Sequence, residues 1–197
     1  LGAATPLDWT LADELGNDTK IMTVLIGKNV KSLANQLFEH GSDEVIVVED
    51  DRLEEYLVLP FSDIFTQIIR QRNPEIALFA ATTSGRELAP RIGMKTGSGV
   101  TADCTGLSIG DYVNKKQKVV VRPILHSRRP TYGESKLATI LGFVFPQVST
   151  ARAGTFEVPT PVSGRTGILS TFEPELKKED FVVEIMETVR GEGGLQS

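Results

Sequence analysis

The sequence predicts an α/β fold built on a doubly wound, mostly parallel sheet, with extra β-strands in its second half. Short apolar runs at residues 21–26, 45–48 and 76–81 have the composition of buried strands. Between them, apolar residues recur at helical spacing, and an alternation of strands and helices is typical of parallel sheets with right-handed crossovers. After residue 119 the pattern changes to strand-like runs separated by turns that contain proline and glycine.

The first elements of the chain indicate a domain that lacks its first strand. Leu11, Ala12 and Leu15 fit a helix that ends at Gly16. A doubly wound domain normally places a strand before such a helix, and the sequence offers no candidate for it. We therefore expect one α/β domain over residues 1–190, truncated at the front.

Two predicted helices connect the three apolar strands. The first has a stop signal at Gly41, and the second is followed by Pro74. Their apolar faces consist of Val30, Leu33, Ala34, Leu37 and Phe38 in the first helix and of Phe61, Ile64, Phe65, Ile68 and Ile69 in the second. One-sided faces of this kind are typical of helices that cover a sheet.

The second half of the chain predicts further strands and a long loop. The strand-like runs are residues 119–125, 137–145 and 148–152. A stretch rich in Pro, Thr and Gly at residues 155–167 is predicted to be a loop. Residues 181–189 are apolar enough for either a strand or a short helix, and residues 191–197 have the composition of the start of a linker.

Composition excludes several classes of function. The net charge is -5, and binding to a phosphate backbone needs clustered positive charge, so no nucleic-acid partner is expected. The single cysteine, Cys104, rules out an internal disulfide and a zinc site made of thiolates. His40 and His126 are far apart in the sequence, so no metal site is predicted. No apolar run reaches the roughly 20 residues that a membrane-spanning helix needs.

The stretch that is richest in candidate chemistry begins where the third predicted strand ends. Thr82, Thr83, Ser84 and Gly85 form a turn into a helix, at the sheet edge where ligands of open parallel sheets bind. The turn is therefore a candidate site for a phosphate or carboxylate. The alternative is a plain capped helix, in which Ser84 is the cap and Glu87 completes a capping box. The plain helix is favoured because no Walker-type spacing of glycine and lysine is present.

Two other features also carry alternatives. Residues 97–103 (G-S-G-V-T-A-D) begin like a dinucleotide fingerprint, but no predicted strand leads into them and Ala102 occupies the third glycine position. Arg122, Arg128 and Arg129 either face an anion or an acidic partner, or are charges at a strand edge. The sequence favours neither interpretation of these arginines.

Four motifs, in matching order and spacing, resemble electron transfer flavoprotein alpha subunits. Residues 81–91 (A-T-T-S-G-R-E-L-A-P-R) are similar to that family's A-T-x-x-G-R-[DE]-L-A-P-R stretch. Residues 101–107 (T-A-D-C-T-G-L) resemble its T-A-D-C-T-x-L segment. Residues 129–133 (R-P-T-Y-G), followed by A-T-I at 138–140, resemble its R-P-x-[YF]-G-G-N turn and the next strand.

The fourth motif departs from the family pattern in part. Its members, which resemble the family's R-P-Q-x-x-T-V-R-P-G element, are Pro146, Gln147, Thr150, Arg152 and Gly154. Phe145 replaces the arginine before Pro-Gln, and Ala153 replaces the proline before the last glycine. The earlier turn also differs, because Glu134 and Ser135 stand where the family usually has Gly-Asn.

The resemblance implies a fold of the electron transfer flavoprotein and adenine-nucleotide-binding type, and a role as a structural platform without catalytic residues. A beta subunit is the implied partner, and FAD is held by a further domain, so this chain alone is expected to bind no FAD tightly. The complex would shuttle electrons from dehydrogenases, such as the acyl-CoA dehydrogenases of fatty acid β-oxidation, to a downstream acceptor. The implied location is the bacterial or archaeal cytoplasm, with the mitochondrial matrix as the alternative.

The resemblance also singles out residues for its motifs or for the subunit interface. They are Arg86, Arg91, Asp103, Arg129, Tyr132, Gln147 and Arg152. Two other functions compete with the platform. One is a stand-alone domain that binds AMP or ATP at residues 82–85. The other is an independent enzyme with Cys104 or a histidine as nucleophile or base, although a small buried cysteine is the better default.

Overall fold

The computed structural model describes residues 11, 14–16, 18–114, 119–133, 135–158, 160–183 and 185–186, with the backbone alone for 114 and 119–123. The strands within these ranges are β1 Met22–Gly27, β2 Glu44–Glu49, β3 Ile76–Ala80, β4 Val100–Cys104, β5 Gly106–Asn114, β6 Val119–Thr131, β7 Lys136–Leu141, β8 Gln147–Ala151 and β9 Ile168–Thr171. The α-helices are α1 Ala34–Glu39, α2 Val58–Arg72 and α3 Thr83–Thr96. Short 3-10 turns occupy Lys31–Leu33, Asp51–Leu53 and Lys178–Phe181.

The strands form three sheets. The first parallel sheet has the order β1-β2-β9, and the second parallel sheet has the order β3-β8-β4. An antiparallel sheet, β5-β6-β7, follows directly from the end of β4. The predicted α/β class with mostly parallel strands and extra strands in the second half is therefore confirmed.

Helix α2 is the element that both parallel sheets share. Ile64 and Ile68 pack with Ile46 and Val48 of β2, while Ile69 packs with apolar residues of α3 and β3. Apolar residues at helical spacing place all three isoleucines on the buried side of the helix. The helix ends at Asn73, whose φ of 46° is the left-handed conformation of a helix cap.

The antiparallel sheet packs on the second parallel sheet. Leu107 and Leu125 form one apolar cluster with Cys104 of β4 and with Ile76 and Leu78 of β3. Between the sheets, the hydroxyls of Ser127 and Ser149 are 2.8 Å apart. This packing holds the antiparallel sheet against β3, β4 and β8, the strands of the second parallel sheet.

Two strand predictions need correction. The strand predicted over residues 137–145 ends at Leu141, because the N–H of Leu125 donates to the side chain of Gln147 rather than continuing the ladder with β7. The strand predicted over residues 119–125 continues to Thr131. β4 and β5 were not predicted, since β4 is a short mixed run of polar and apolar residues and β5 contains two glycines, which are rare in strands.

The predictions for residues 155–197 can be compared with the structure at the described positions. Residues 155–158 and 160–167 form no helix or strand, as the predicted loop requires. Of residues 181–189, Phe181 closes a 3-10 turn, and 182, 183, 185 and 186 are in neither helix nor strand. Residues 184, 187–189 and the predicted linker, 191–197, lie outside the described residues.

Candidate functional site

The candidate site lies where β3, β8 and β4 end. The carboxyl ends of parallel strands meet at one edge of a sheet, and here they bring together the turn at residues 82–85, Asp103 and Arg152. Asp103 is 17 residues from Arg86 and 49 from Arg152 in sequence, yet both arginines contact its carboxylate. The tertiary structure thus joins residues from three of the four sequence motifs.

The turn at residues 82–85 is a capped helix start, and its cap differs from the prediction. Thr82 has an extended backbone (φ −72°, ψ 171°), and its hydroxyl accepts a hydrogen bond from the N–H of Gly85 at 3.2 Å. Ser84 already lies inside the first turn of α3, so it cannot be the cap that the S-x-x-E pattern indicated. Its carbonyl accepts a hydrogen bond from the hydroxyl of Tyr56. Burial raises the pKa of Tyr56 to about 12, so this hydroxyl remains a donor.

The helix start packs tightly against the end of β3. A Cβ atom added to Gly85 would lie 1.9 Å from the carbonyl oxygen of Ala80, so only glycine fits this close approach. The N–H of Arg86 bonds to the carbonyl of Thr82. The N–H groups of Gly85 and Arg86 are therefore both bound by Thr82 of the protein itself, which favours the plain capped helix over an anion pocket.

The charged groups of the site meet at the carboxylate of Asp103. Its carboxylate accepts hydrogen bonds from Arg152 at 2.6 Å and from Arg86 at 3.2 Å, and its N–H donates to the hydroxyl of Thr150. The hydrogen bond from Arg152, with smaller contributions from nearby arginine charges, holds the pKa of Asp103 below its ordinary value. Its φ of 61° is left-handed, a conformation that Asp and Asn tolerate better than most residues.

The two arginines also bind backbone groups, so the site connects the three strand ends. The Nε of Arg86 donates to the carbonyl of Ala81, directly after β3. The N–H of Arg152, directly after β8, donates to the carbonyl of Cys104 at the end of β4. We interpret the cluster of Arg86, Asp103 and Arg152 as a structural clasp at the carboxyl edge of the second parallel sheet.

Of the basic residues of β6, Arg128 and Arg129 have described side chains, and these two lie on opposite sides of the strand. Arg128 is exposed, whereas Arg129 is half-buried on the opposite side of the strand, and the side chain of Arg122 lies outside the described residues. The Nε of Arg129 and the Nε2 of His126 are buried and have no hydrogen-bond partner within the described part of the chain. The positive charge of Arg129 acts on Asp103 and Cys104. Its contact with an anion or an acidic partner remains a prediction.

The other residues that the family resemblance singled out have separate surroundings. Gln147 is buried and accepts from the N–H of Leu125, so it links the second parallel sheet to the antiparallel sheet. Tyr132 is 83% exposed in the β6–β7 turn, with the ammonium of Lys136 near its ring. Arg91 is exposed on α3. Their assignment to a subunit interface remains a prediction.

The segment at residues 97–103 is the reverse of a dinucleotide fingerprint. Gly97 ends α3 in a left-handed conformation, and β4 begins at Val100, so the glycines join a helix to a strand. A nucleotide fingerprint needs the opposite order, with a strand leading into a helix. This geometry agrees with the rejection of that motif from the sequence.

The described ranges contain neither a candidate metal cluster nor a helix that could span a membrane. No group of three His, Cys, Asp or Glu side chains there could hold a metal ion. His40 uses its Nδ1 to contact the carbonyl of Gln36 at the end of α1. None of the helices in these ranges is long and apolar enough to cross a membrane.

Cys104 is a buried thiol rather than an exposed nucleophile. It is fully buried, its Sγ donates to the carbonyl of Thr101, and burial raises its pKa. We expect a thiol-labelling reagent to modify Cys104 at least about 100-fold more slowly in the native chain than in the same chain in denaturant. Equal rates in the two states would contradict this and restore Cys104 as a candidate nucleophile.

Sequence reasoning missed an exposed apolar corner beside the antiparallel sheet. It is formed by Tyr112, Phe143, Val144 and Phe145, and the rings of Tyr112 and Phe143 meet edge to face with centroids 4.9 Å apart. Phe143 and Val144 are each 51% exposed, and Phe145 is 45% exposed. The run of apolar residues was interpreted as the end of a strand, so its exposure could not be foreseen. We call these four residues the aromatic corner.

Comparison with known proteins agrees with the motif resemblance. The family model described as "Electron transfer flavoprotein domain" matches residues 9–177. The chain is 33% identical over 195 residues to "Electron transfer flavoprotein subunit alpha" of Megasphaera elsdenii, covering 98% of this chain and 54% of that protein.

Two further relatives have names that specify a reaction. "Acryloyl-CoA reductase electron transfer subunit beta" of Anaerotignum propionicum is 32% identical over 158 residues, covering 73% of this chain and 42% of the relative. "Lactate dehydrogenase (NAD(+),ferredoxin) subunit LctC" of Acetobacterium woodii is 28% identical over 176 residues, covering 89% and 40%. The chain thus spans about half the length of the relatives it matches.

Proposed function

Because this chain belongs to the electron transfer flavoprotein family, we propose that it is the structural platform of an electron transfer flavoprotein alpha subunit. In this role it pairs with a beta subunit, and the assembled complex carries electrons between a dehydrogenase and a downstream acceptor. The chain itself supplies a rigid scaffold: two parallel sheets, their helices and an antiparallel sheet that extends to one side.

The single observation that carries this proposal is the aromatic corner. Three consecutive apolar residues, Phe143, Val144 and Phe145, are each about half exposed, and Val113 on the adjacent β5 is 54% exposed. Clustered exposed aromatic and aliphatic side chains mark protein–protein interfaces, where they become desolvated and contribute most of the binding energy. The family's association into two-subunit carriers supports the proposal that the beta subunit is the partner of this surface.

FAD belongs to this proposal as the redox group of the whole complex. A flavin supplies the electron-transfer chemistry, while the protein determines its position and electrostatic surroundings. We propose that this chain contributes a scaffold and an interface to that arrangement, and that alone it binds no FAD tightly. Flavin content measured on the purified chain and on the complex with its beta subunit tests whether FAD is bound only in the complex.

Replacement of Phe143 with serine is expected to weaken binding of the beta subunit by roughly 10-fold or more, because an interface aromatic is lost. The matched control is Ile168→Ser, which removes a side chain of similar exposure (58%) on β9, at the far edge of the first parallel sheet. Native mass spectrometry and titration of the natural polypeptide with its beta subunit measure both variants. If the two variants bind equally well, the aromatic corner is not the interface.

Failure of the unaltered polypeptide to bind any beta subunit would contradict the proposed function itself. The two results are distinguishable. Equal binding by the two variants rejects only the aromatic corner as the interface, whereas no binding by the unaltered polypeptide rejects the pairing itself. Circular dichroism of each variant confirms that a loss of binding does not come from unfolding.

The identity of the electron donor is a separate part of the proposal. The names of two relatives specify an acryloyl-CoA reductase and a lactate dehydrogenase, so the donors and acceptors of related complexes differ. We propose dehydrogenases as the donor class, with acyl-CoA dehydrogenases among them. Reduction of the assembled flavin complex by candidate dehydrogenases with their substrates, followed spectroscopically, identifies the donor.

Binding of AMP or ATP at residues 82–85 is the alternative function. The hydroxyl of Thr82 already accepts from the N–H of Gly85, and the carbonyl of Ala80 packs directly against Gly85. We therefore expect isothermal titration of the chain with AMP or ATP to give no heat of binding at millimolar nucleotide. Saturable binding that Thr82→Ala alters, but that the same substitution at exposed Thr160 does not, would establish the alternative.

A further inference from the structure

The clasp of Arg86, Asp103 and Arg152 leaves the nearby Arg129 without a role. The Nε of Arg129 is buried and has no hydrogen-bond partner within the described part of the chain. A buried polar group without a partner loses its hydration and gains no bond in return, so such groups are rare in folded proteins. The cost is larger for a guanidinium, because it keeps its charge at physiological pH. The position of Arg129 therefore needs an explanation.

The fold holds Arg129 beside the end of β4. Along β6, Leu125 and Ser127 face the second parallel sheet. Side chains alternate along a strand, so Arg129 lies on this same face. The N–H of Thr105, directly after β4, donates to the carbonyl of Arg128 at 2.9 Å. Arg129 thus lies in the angle between the antiparallel sheet and the end of β4.

The positive charge of Arg129 reaches the clasp. It acts on Asp103 and on Cys104, and the charges of Arg86 and Arg152 act on Asp103 as well. The two carboxylate oxygens of Asp103 are bound, one by Arg86 and the other by Arg152. Three arginines therefore surround one carboxylate whose oxygens are bound by two of them, and the charge of Arg129 is left over.

The same cluster can be reached from solvent. The side chains of Arg86 and Arg152 are 59% and 30% exposed, and Arg129 is half-buried. The positive end of the α3 dipole, at Thr83, lies at the same edge of the sheet. A ligand that enters here meets guanidinium groups from three parts of the fold: α3, the residue after β8, and β6.

The aromatic corner lies at the other end of β8 from this cluster. Residues 143–145 precede the start of β8 at Gln147, whereas Arg152 follows its end at Ala151. Five residues of extended strand separate the two ends by roughly 16 Å. The surface proposed for the beta subunit is therefore not the surface on which the arginines open, and they need a different ligand.

We propose that Arg129, together with Arg86 and Arg152, binds a small oxyanion of the phosphate class at the carboxyl edge of the second parallel sheet. Guanidinium groups bind phosphate oxygens through short, charge-assisted hydrogen bonds. A tetrahedral oxyanion directs its oxygens to donors on several sides, whereas a carboxylate offers two oxygens in one plane. The donors are side chains, so the site does not depend on the N–H groups of residues 82–85.

Burial makes the ligand class narrower than a nucleotide. An oxygen bound to the Nε of Arg129 lies below the surface, because that nitrogen is buried. A free phosphate ion can place one oxygen there and others on the exposed arginines, whereas a nucleotide carries a bulky ester on one of its oxygens. We therefore expect inorganic phosphate to bind and AMP, as above, to give no heat of binding.

The probe is inorganic phosphate, titrated at constant ionic strength into the natural polypeptide in phosphate-free buffer. The expected result is saturable binding with a millimolar or lower Kd, and a shift of the Nε–H resonance of Arg129 in ¹⁵N spectra. Arg129→Gln should weaken this binding by about 10-fold or more, because a charge and a charge-assisted hydrogen bond are lost. The matched control is Arg128→Gln, at an exposed arginine on the opposite face of β6, which should bind phosphate as the wild type does.

Thermal unfolding provides a second measurement. In phosphate-free buffer, Arg129→Gln should be at least as stable as the wild type, because it removes a buried charge that has no partner. Saturating phosphate should raise the Tm of the wild type and of Arg128→Gln, since the ligand binds only the folded state. It should leave the Tm of Arg129→Gln unchanged.

Three results would overturn the proposal. The first is the absence of saturable phosphate binding by the wild type. The second is equal weakening by both substitutions, which would mean a general attraction to surface charge. The third is a lower Tm of Arg129→Gln than of the wild type in phosphate-free buffer, which would mean that Arg129 has a partner within the protein itself.

Discussion

Asparagine in place of Asp103 is expected to lower the free energy of unfolding by about 2 kcal/mol at pH 7. The substitution removes the charge that Arg86 and Arg152 share, and it leaves their positive charges facing one another. Asparagine tolerates the left-handed backbone of this position (φ 61°), so the change isolates the charge from backbone strain. The figure is modest because the carboxylate is 23% exposed and Arg86 is 59% exposed, and solvent screens such pairs.

The dependence on pH separates this explanation from a general loss of packing. The pKa of Asp103 is lower in the folded protein than in the unfolded chain, so its ionised form stabilises the fold. That contribution is fully present above the unfolded pKa of about 4 and is lost as the pH falls through the folded pKa. The difference between wild type and Asp103→Asn should therefore be constant from about pH 6 to 8 and shrink below about pH 4.

Urea denaturation of both proteins across this pH range measures the effect. Glu157→Gln, at an exposed carboxylate in the loop after β8, is the control for a change of one unit in net charge. A difference that does not depend on pH would show that the carboxylate contributes through shape rather than through its charge.

Alanine in place of Gly85 is expected to destabilise the domain by about 3 kcal/mol. The new Cβ atom would lie 1.9 Å from the carbonyl oxygen of Ala80, and a backbone atom cannot move aside as the end of a flexible side chain can. To relieve this clash, either the start of α3 moves away from β3, or the end of β3 moves away from α3. Both displacements disturb the contact of Arg86 with Asp103, so the clasp weakens as well.

The matched control is Gly99→Ala, between α3 and β4. A Cβ atom at Gly99 meets nothing within 4 Å, and its backbone is not in the left-handed region. Thermal and urea unfolding should show a small effect for Gly99→Ala and a large one for Gly85→Ala. Equal effects would mean that the close approach at Ala80 does not limit the turn.

The sequence by itself determined the local elements of this protein. The helical spacing of Ile64, Ile68 and Ile69 predicted α2, and the apolar run at residues 45–48 predicted β2, because burial on one or two faces imposes a period on the chain. The motif series also predicted the family, which the match over residues 9–177 confirmed.

The site could be predicted only as a set of separate motifs. Thr82, Asp103 and Arg152 were all singled out in the sequence, but the S-x-x-E pattern pointed to Ser84 as the cap. The cap depends on where the backbone leaves the extended conformation, and the end of β3 fixes that point through Gly85. The contact of Arg86 and Arg152 with one carboxylate required the fold.

Only the tertiary structure decided the order of the strands. β8 lies between β3 and β4 although it follows them by more than 40 residues in sequence, and no local pattern encodes such a pairing. The same holds for the aromatic corner, whose residues have the composition of a buried strand and become exposed because β7 ends at Leu141. Local periodicity reports which faces of an element are apolar, whereas long-range hydrogen bonding between parallel strands decides what covers them.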